Sequence, residues 1–392
     1  MEKFSARNEN FGKTIFNNNN YDYFFIDDLE FKKFKKESKV KEKDNIPFAK
    51  EKRILFSPIR VYFDITTACN LRCKTCLNSS GNSLEDELST EESIETIEGF
   101  GKDNVFYVKF SGGEPTQRKD WVELIKTAKD VGLIIGMNTN AIYSKETLND
   151  MLKLDIDEIS VSLDGFREQN DYIRGKGSFD KASMSIKELY SAGKKITINS
   201  VVTKKTKESD LRDLINFASK YCEDISFFHP RPIGRAKNII DIIPNFYELN
   251  EIMKNVDKIK KDYGNFKIKS RSENLRKDLI NLSSSDTKLM VGGPDGFTRF
   301  NIMSDGKLFA GGCVPYVSDS LDMSLGNIRD ENFSLLNIWR NSSKLWDIRN
   351  LSSKLQKRCN SCSSYNVDCS GFTLEMELYK KVYGNNPFCR WL

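Results

Sequence analysis

The sequence contains a single histidine, His229, among 392 residues. Nucleophilic catalysis of the Ser-His-Asp or Cys-His kind depends on a histidine base placed beside the nucleophile, and one histidine makes such machinery implausible here. The same scarcity removes the usual histidine partner from most mixed cysteine–histidine zinc sites. Chemistry of another kind is therefore expected.

Long apolar runs are also missing. No stretch approaches the roughly 20 residues that span a bilayer, and the polar N-terminus lacks the features of a signal peptide. The net charge is only +5, from 61 basic and 56 acidic residues. We therefore expect a soluble, cytoplasmic protein without a membrane partner, and no nucleic-acid partner is expected.

Cysteine, in contrast, is well represented, with nine residues. In a cytoplasmic chain such cysteines indicate metal ligands rather than disulfides. Cys69, Cys73 and Cys76 have the spacing C-x3-C-x2-C. A 4Fe–4S cluster normally takes four thiolates, so three would leave one iron open to a ligand that is not protein. A C-x2-C pair is also a zinc pattern, but no histidine lies near this triplet to complete a tetrahedral site.

Apolar runs that predict strands alternate with helical patterns between residues 58 and 235. The six runs are Val61–Ile65, Val105–Phe110, Leu133–Asn138, Ile159–Leu163, Ile196–Val202 and Ile225–Phe228. Ser89 and Glu92 form a capping box at the start of one intervening helix. This alternation predicts an α/β fold of parallel βα units, and six units are too few for a closed eight-stranded barrel.

The cysteine spacing within this pattern resembles the radical SAM superfamily. The resemblance implies a partial (β/α)6 TIM-like barrel with its active site at the C-terminal strand ends. It also implies a 4Fe–4S cluster whose open iron binds S-adenosylmethionine (SAM), and an electron donor such as flavodoxin or ferredoxin. One electron from the cluster would then release a 5'-deoxyadenosyl radical from SAM.

The resemblance also assigns SAM-binding residues. Gly112, Gly113 and Glu114 follow the second strand and match the family motif for the methionyl amino group. Further SAM contacts are implied at Asn138, Ser162, Asp164, Arg174, Asn199 and Val201.

Four late cysteines resemble the SPASM extension, which carries auxiliary iron–sulfur clusters. They are Cys359, Cys362, Cys369 and Cys389. Four thiolates would ligate a second 4Fe–4S cluster, and a structural zinc ion remains the alternative. Two cysteines usual in a full SPASM domain are missing, so Cys313 stands without partners. It is a buried small residue, a ligand of an incomplete cluster, or a hydrogen-atom donor and hence a candidate catalytic residue; other catalytic residues are unknown.

The predicted organisation has four parts. Residues 1–57 form a β-hairpin and a charged helix, either a leader-peptide recognition element that adds a peptide strand to a sheet edge or a packing arm for the barrel. Residues 58–235 are the radical SAM core, 236–289 a helical connector and 290–392 a SPASM-type domain.

By analogy with SPASM enzymes, the predicted function is modification of a ribosomally made precursor peptide by crosslinking, thioether formation or epimerisation. The alternatives are maturation of a protein side chain of the sulfatase-activating type, a small-molecule radical SAM reaction, and a non-catalytic iron–sulfur or zinc scaffold that binds peptides.

Overall fold

The computed structural model describes residues 2–44, 54–269, 295–312, 314–317 and 323–350. Two sheets organise these residues, a small N-terminal sheet and a large central one. Cys313 and the four late cysteines lie outside the described residues, so the predictions made for them stay predictions. Among the described helices, none combines the length and the apolar character that a membrane-spanning segment requires.

The N-terminal sheet has the strand order β3-β2-β1-β4. Its elements are β1 (Phe4–Glu9), β2 (Gly12–Asn17), β3 (Tyr23–Ile26), α1 (Asp28–Glu37) and β4 (Val40–Glu42). The predicted hairpin is β2–β3, and α1 begins at a capping box formed by Asp27 and Glu30. Sequence reasoning missed β1 and β4, which enlarge the hairpin to four strands.

Six parallel strands form the centre of the large sheet, and they are the six that the sequence predicts, with bounds shifted by at most two residues. They are β5 (Arg60–Thr66), β6 (Tyr107–Gly112), β7 (Ile134–Thr139), β8 (Glu158–Ser162), β9 (Ile196–Val201) and β10 (Asp224–Phe228). Each pairs in parallel with the next. The predicted α/β fold built on six parallel strands is confirmed.

Helices cover the outer face of these strands. They are α2 (Thr90–Lys102), α3 (Trp121–Asp130), α4 (Lys145–Lys153), α5 (Arg167–Arg174), α6 (Ser178–Ser191) and α7 (Glu208–Tyr221). Ser89 accepts a hydrogen bond from the Glu92 amide, so the predicted capping box starts α2. On β5, the outward Val61 and Phe63 are fully buried, and the Phe63 ring meets Phe100 of α2 at 5.9 Å.

The sheet extends beyond the six predicted strands on both sides. After α8 (Phe246–Lys260), β11 (Lys267–Lys269) adds in parallel to β10. On the other side, β12 (Arg299–Ile302) pairs in parallel with β5 and forms a hairpin with β13 (Leu308–Phe309). The short helices α9 (Val314–Val317) and α10 (Leu336–Asn341) follow.

Candidate active site

The loop after β5 carries the three clustered cysteines. Cys69, Cys73 and Cys76 are partly exposed free thiols. The amide of Cys69 donates to the Gly81 carbonyl at 2.9 Å, and the amide of Gly81 donates to Thr67 at 2.9 Å. The loop therefore folds back on itself and presents its thiols at the C-terminal ends of the strands.

Arg235, on the segment that follows β10, holds this loop in place through hydrogen bonds. No role for Arg235 is predicted from the sequence. Its Nε donates to the Cys73 carbonyl at 2.8 Å and its Nη1 to the Ser80 carbonyl at 2.8 Å. Its amide donates to the Cys76 carbonyl at 3.0 Å. Gly234 lies so close that a Cβ there would sit 2.3 Å from the Cys76 carbonyl oxygen. Five residues separate Gly234 from the end of β10, and no local signal in the sequence indicates this contact.

Nitrogen donors surround two of the sulfurs. The Leu71 amide donates to Cys69 Sγ at 3.4 Å. Asn140 Nδ2 lies 4.0 Å from the same sulfur, and Arg174 Nη1 lies 4.0 Å from Cys73 Sγ. Donors of this kind stabilise sulfur that carries negative charge, as it does when it binds iron.

Burial works against thiolate formation in the metal-free chain. It raises the pKa of Cys69 to about 11, and it raises the pKa of Cys73 although Arg174 opposes the shift. Iron binding must therefore displace protons from these thiols. In the described part of the chain, no three Cys, His, Asp or Glu side chains converge on one metal ion. A cubane accommodates such spread thiols because each binds a different iron, so the donor set fits a 4Fe–4S cluster.

Gly112 at the end of β6 and Gly113 directly after it allow the backbone to pack directly against the cysteine loop. The Gly113 amide donates to the Thr66 carbonyl at 2.7 Å. A Cβ at Gly112 would lie 2.2 Å from the Thr66 oxygen, and one at Gly113 would lie 2.2 Å from the Ala68 oxygen. Any larger residue would push the two segments apart.

Glu114 is enclosed by hydrogen-bond donors of its own turn and of β7. Its side chain is fully buried and accepts hydrogen bonds from Thr139 Oγ1 at 2.9 Å and the Asn140 amide at 2.7 Å. Thr116 Oγ1 donates at 2.9 Å as well. Burial raises the pKa of Glu114 against these hydrogen bonds. The carboxylate thus connects β7 to the Gly-Gly turn, and the SAM contact predicted for Glu114 stays a prediction.

Three of the predicted SAM residues are joined by one ion pair and one hydrogen bond. Arg174 Nε lies 2.8 Å from Asp164 Oδ2, and Asp164 Oδ1 accepts the Val201 amide at 2.9 Å. Burial lowers the pKa of Arg174, but the charges of Asp164 and Cys73 outweigh it and raise the pKa overall. This pair connects β8 and β9 to the cysteine loop.

A polar cavity of about 700 Å³ fills the interior of the barrel. Alternate strand residues line it, among them the predicted Asn138 and Asn199. Asn138 Nδ2 donates to Ser111 Oγ at 3.2 Å. Ser162 is half-buried and pairs in register with Asn199, but it does not line the cavity.

Asp64 is a buried carboxyl in this cavity that sequence reasoning did not select. Tyr316 Oη donates to its Oδ2 at 2.6 Å. Burial raises the pKa of Asp64 to about 6. The cavity therefore contains a carboxyl that can hold or release a proton near neutral pH.

Two family models match the chain. Residues 63–218 match the Radical SAM superfamily, and residues 294–363 match SPASM, an iron–sulfur cluster-binding domain. The chain carries a radical SAM domain and a SPASM domain. The SPASM match includes Cys313, Cys359 and Cys362 and ends before Cys369 and Cys389.

Individual proteins resemble this chain in sequence or in fold. Mycofactocin maturase MftC of Mycolicibacterium smegmatis is 36% identical over 193 residues, 48% of this chain and 49% of the relative. The chain thus spans about half the length of such curated relatives. Streptococcus suis SuiB bound to its precursor peptide SuiA has a TM-score of 0.75 at 20% identity, covering 96% of both chains. SuiB bound to S-adenosylmethionine gives 0.72 at 18% identity, again covering 96% of both.

Proposed function

We propose that this protein is a radical SAM enzyme that modifies a ribosomally made peptide. The observation that carries the proposal is the cysteine loop at the mouth of a polar barrel. Three free thiols lie at the C-terminal ends of the strands. The Arg174–Asp164 ion pair and the Gly-Gly turn lie on either side of them. Parallel α/β barrels place their reactive groups at this end.

Cys69, Cys73 and Cys76 would hold a 4Fe–4S cluster with one iron open to SAM. When bound, the reduced cluster supplies one-electron cleavage of SAM and thereby a 5'-deoxyadenosyl radical. Gly112, Gly113 and Glu114 would receive the methionyl amino group. The remaining contacts to SAM are proposed at Asn138, Ser162, Asp164, Arg174, Asn199 and Val201.

Within that set, the residues have different roles. The Arg174 guanidinium has Asp164 on one side and Cys73 Sγ on the other. Its planar fork suits the SAM carboxylate. Asp164 orients this fork, and Glu114 holds the tip of β7 beside it. The walls of the barrel exclude water from the space in which a radical would form.

A peptide substrate is supported by three features. The cavity of about 700 Å³ is lined mainly by polar side chains that can bind peptide groups. The strand β3 pairs only with β2 among the described residues, which leaves one edge for an added peptide strand. The two relatives above are a maturase and a protein bound to its precursor peptide.

The late cysteines complete the proposal. Cys359, Cys362, Cys369 and Cys389 would ligate a second 4Fe–4S cluster, within or beyond the SPASM match. A flavodoxin or ferredoxin would supply the electron for SAM cleavage. The product is a crosslink, a thioether or an epimerised residue, and the cytoplasm is the proposed location because clusters of this kind need a reducing compartment.

The decisive experiment is SAM cleavage by the anaerobically reconstituted protein. We expect 5'-deoxyadenosine when dithionite and SAM are added, and loss of both the nucleoside and the SAM-site iron in Cys73→Ala. Cys222→Ala is the matched control, because Cys222 is a partly buried thiol at the end of α7, away from the loop. Intact nucleoside release in Cys73→Ala would refute the proposed cluster site.

The substrate is tested separately. A small open reading frame, if one lies beside the gene, would supply the candidate peptide, and mass spectrometry would report a mass change or, after deuterium exchange, an epimerised residue. Nucleoside release without any peptide change would favour the side-chain maturase or small-molecule alternative. Verified clusters without nucleoside release would favour the scaffold.

A further inference from the structure

Two lysines converge on one exposed tyrosine beside the cysteine loop. Lys74 Nζ lies 3.4 Å from the centre of the Tyr172 ring, and Lys205 Nζ lies 4.3 Å from it. Lys205 Nζ also donates to Tyr172 Oη at 3.2 Å. We call these three residues the Lys–Tyr–Lys patch.

The patch is joined directly to the proposed cluster site. Lys74 stands between two of the cysteines, and its amide donates to the Ile173 carbonyl at 2.9 Å. Tyr172 therefore lies one residue from a backbone contact to the loop, and two residues before Arg174. None of the three patch residues lines the barrel cavity. Tyr172 and Lys205 are exposed and Lys74 is partly exposed, so the patch lies outside the cavity and is open to solvent.

The charge of the patch is unbalanced. No carboxylate of the described residues forms an ion pair with Lys74 or Lys205, whereas Lys204 next to it pairs with Glu248 at 3.2 Å. Two ammonium groups on one ring repel each other, and the ring face offsets only part of that repulsion. An anionic partner would remove the imbalance and would be drawn to the patch over a distance near the Debye length.

We propose that the Lys–Tyr–Lys patch is the docking contact for an acidic one-electron carrier protein that reduces the cluster. This inference rests on the proposed function, because only a redox-active loop needs such a partner. A carrier is favoured over the peptide substrate as the occupant for two reasons. The patch lies outside the cavity, and one of its residues, Lys74, belongs to the cysteine loop that would hold the cluster. A carrier docked there would lie beside Cys73 and Cys76, the proposed cluster ligands on either side of Lys74, and would contact none of the cavity-lining residues through the patch.

The test compares two electron sources with the same variants. The probes are purified flavodoxin, reduced by its NADPH-dependent reductase, and dithionite, which needs no docking. For Lys205→Glu we expect flavodoxin-driven formation of 5'-deoxyadenosine to fall about tenfold at low salt, because reversed interface charges slow association. Lys205→Ala should fall less, and its rate should depend less on salt than the wild-type rate. The dithionite-driven rate should not change in either variant.

Lys187→Glu is the matched control. Lys187 is an exposed lysine on α6 that also contacts an aromatic ring, at 5.8 Å from the centre of Tyr221. The inference is overturned if Lys187→Glu slows the flavodoxin-driven reaction as much as Lys205→Glu, or if neither does. It is also overturned if Lys205→Glu raises the KM for the peptide in the dithionite reaction, which would make the patch a substrate contact. Failure of the wild type to cleave SAM with dithionite would instead refute the proposed function.

Discussion

Replacing Arg235 tests whether the barrel itself holds the cysteine loop in shape. Arg235→Gln removes the two side-chain hydrogen bonds to the Cys73 and Ser80 carbonyls and leaves the backbone bond to Cys76 in place. A hydrogen bond from a charged donor contributes about 1.5–3 kcal/mol. Because Arg235 is only half-buried, we expect the two lost hydrogen bonds together to destabilise the ordered conformation of the loop by about 2–4 kcal/mol.

That loss should appear mainly in cluster retention. If cluster binding must restore the order of the loop, a cost of about 2–4 kcal/mol corresponds to a roughly 30- to 700-fold lower affinity of the protein for the cluster. The assay is the rate at which a chelator removes iron from the reconstituted protein, together with iron and sulfide per chain. A second readout is the midpoint potential of the cluster. Removing a positive charge beside Cys73 should lower this potential, and Arg235→Lys, which keeps the charge, should bring the potential most of the way back to the wild-type value.

Arg212→Gln provides the control for loss of an arginine. Its guanidinium bonds Glu208 and Asp262 on the surface, away from the loop. It should leave both cluster retention and potential unchanged. The reasoning is refuted if Arg235→Gln holds its iron against the chelator as well as Arg212→Gln does, with the same midpoint potential.

Two further predictions concern packing and pH. Gly113→Ala should lower iron incorporation, because its Cβ would lie 2.2 Å from the Ala68 oxygen. The control is Gly132→Ala, whose Cβ would have nothing within 4 Å; it should cost only about 1–2 kcal/mol of backbone strain, measured by thermal unfolding. Equal iron contents in the two variants would contradict this prediction. Burial raises the pKa of Asp103 to about 6 from 3.8. The folded state therefore binds more protons than the unfolded state between these values, and the free energy of unfolding should fall by at most about 3 kcal/mol as pH rises through them. Asp103→Asn should flatten that part of the pH profile in denaturant titrations, and an unchanged slope would contradict the assignment.

The six central strands were predictable because their signal is local. Each is a short apolar run between turn residues, and the capping pair Ser89 and Glu92 fixes a helix start from four neighbouring positions. The strands that sequence reasoning missed have no such signal. The strand β11 has two lysines in its three residues, and β4 is a short charged strand. Their partners, rather than their own propensities, make them strands.

The same division applies to the candidate site. Cysteine spacing identifies the loop because its ligands are close in sequence. The Arg235 contacts join residues separated by 162 and 155 positions, and nothing in the local sequence specifies them. The side-chain direction of Glu114 was equally hidden, because it depends on donors at Thr139 and Asn140 that only the packed β7 brings near.

The N-terminal sheet shows why the packing and peptide-binding interpretations of residues 1–57 are compatible. Arg7 is buried and donates to the Ser57, Pro58 and Asn104 carbonyls at 2.8–3.1 Å. The Tyr21 hydroxyl donates to the Asp157 carbonyl at 2.5 Å.

These contacts use β1 and the β2–β3 turn, and the turn reaches the floor of the cavity through Tyr21. Within the described part of the chain, no strand pairs with the outer edge of β3, so this edge could accept a peptide strand. A peptide bound along that edge would therefore be attached to an element that is itself fixed to the barrel floor. A peptide can be held in a constant position relative to the proposed cluster only if the sheet that binds it is firmly packed on the barrel. The packing contacts of residues 1–57 therefore do not argue against peptide binding.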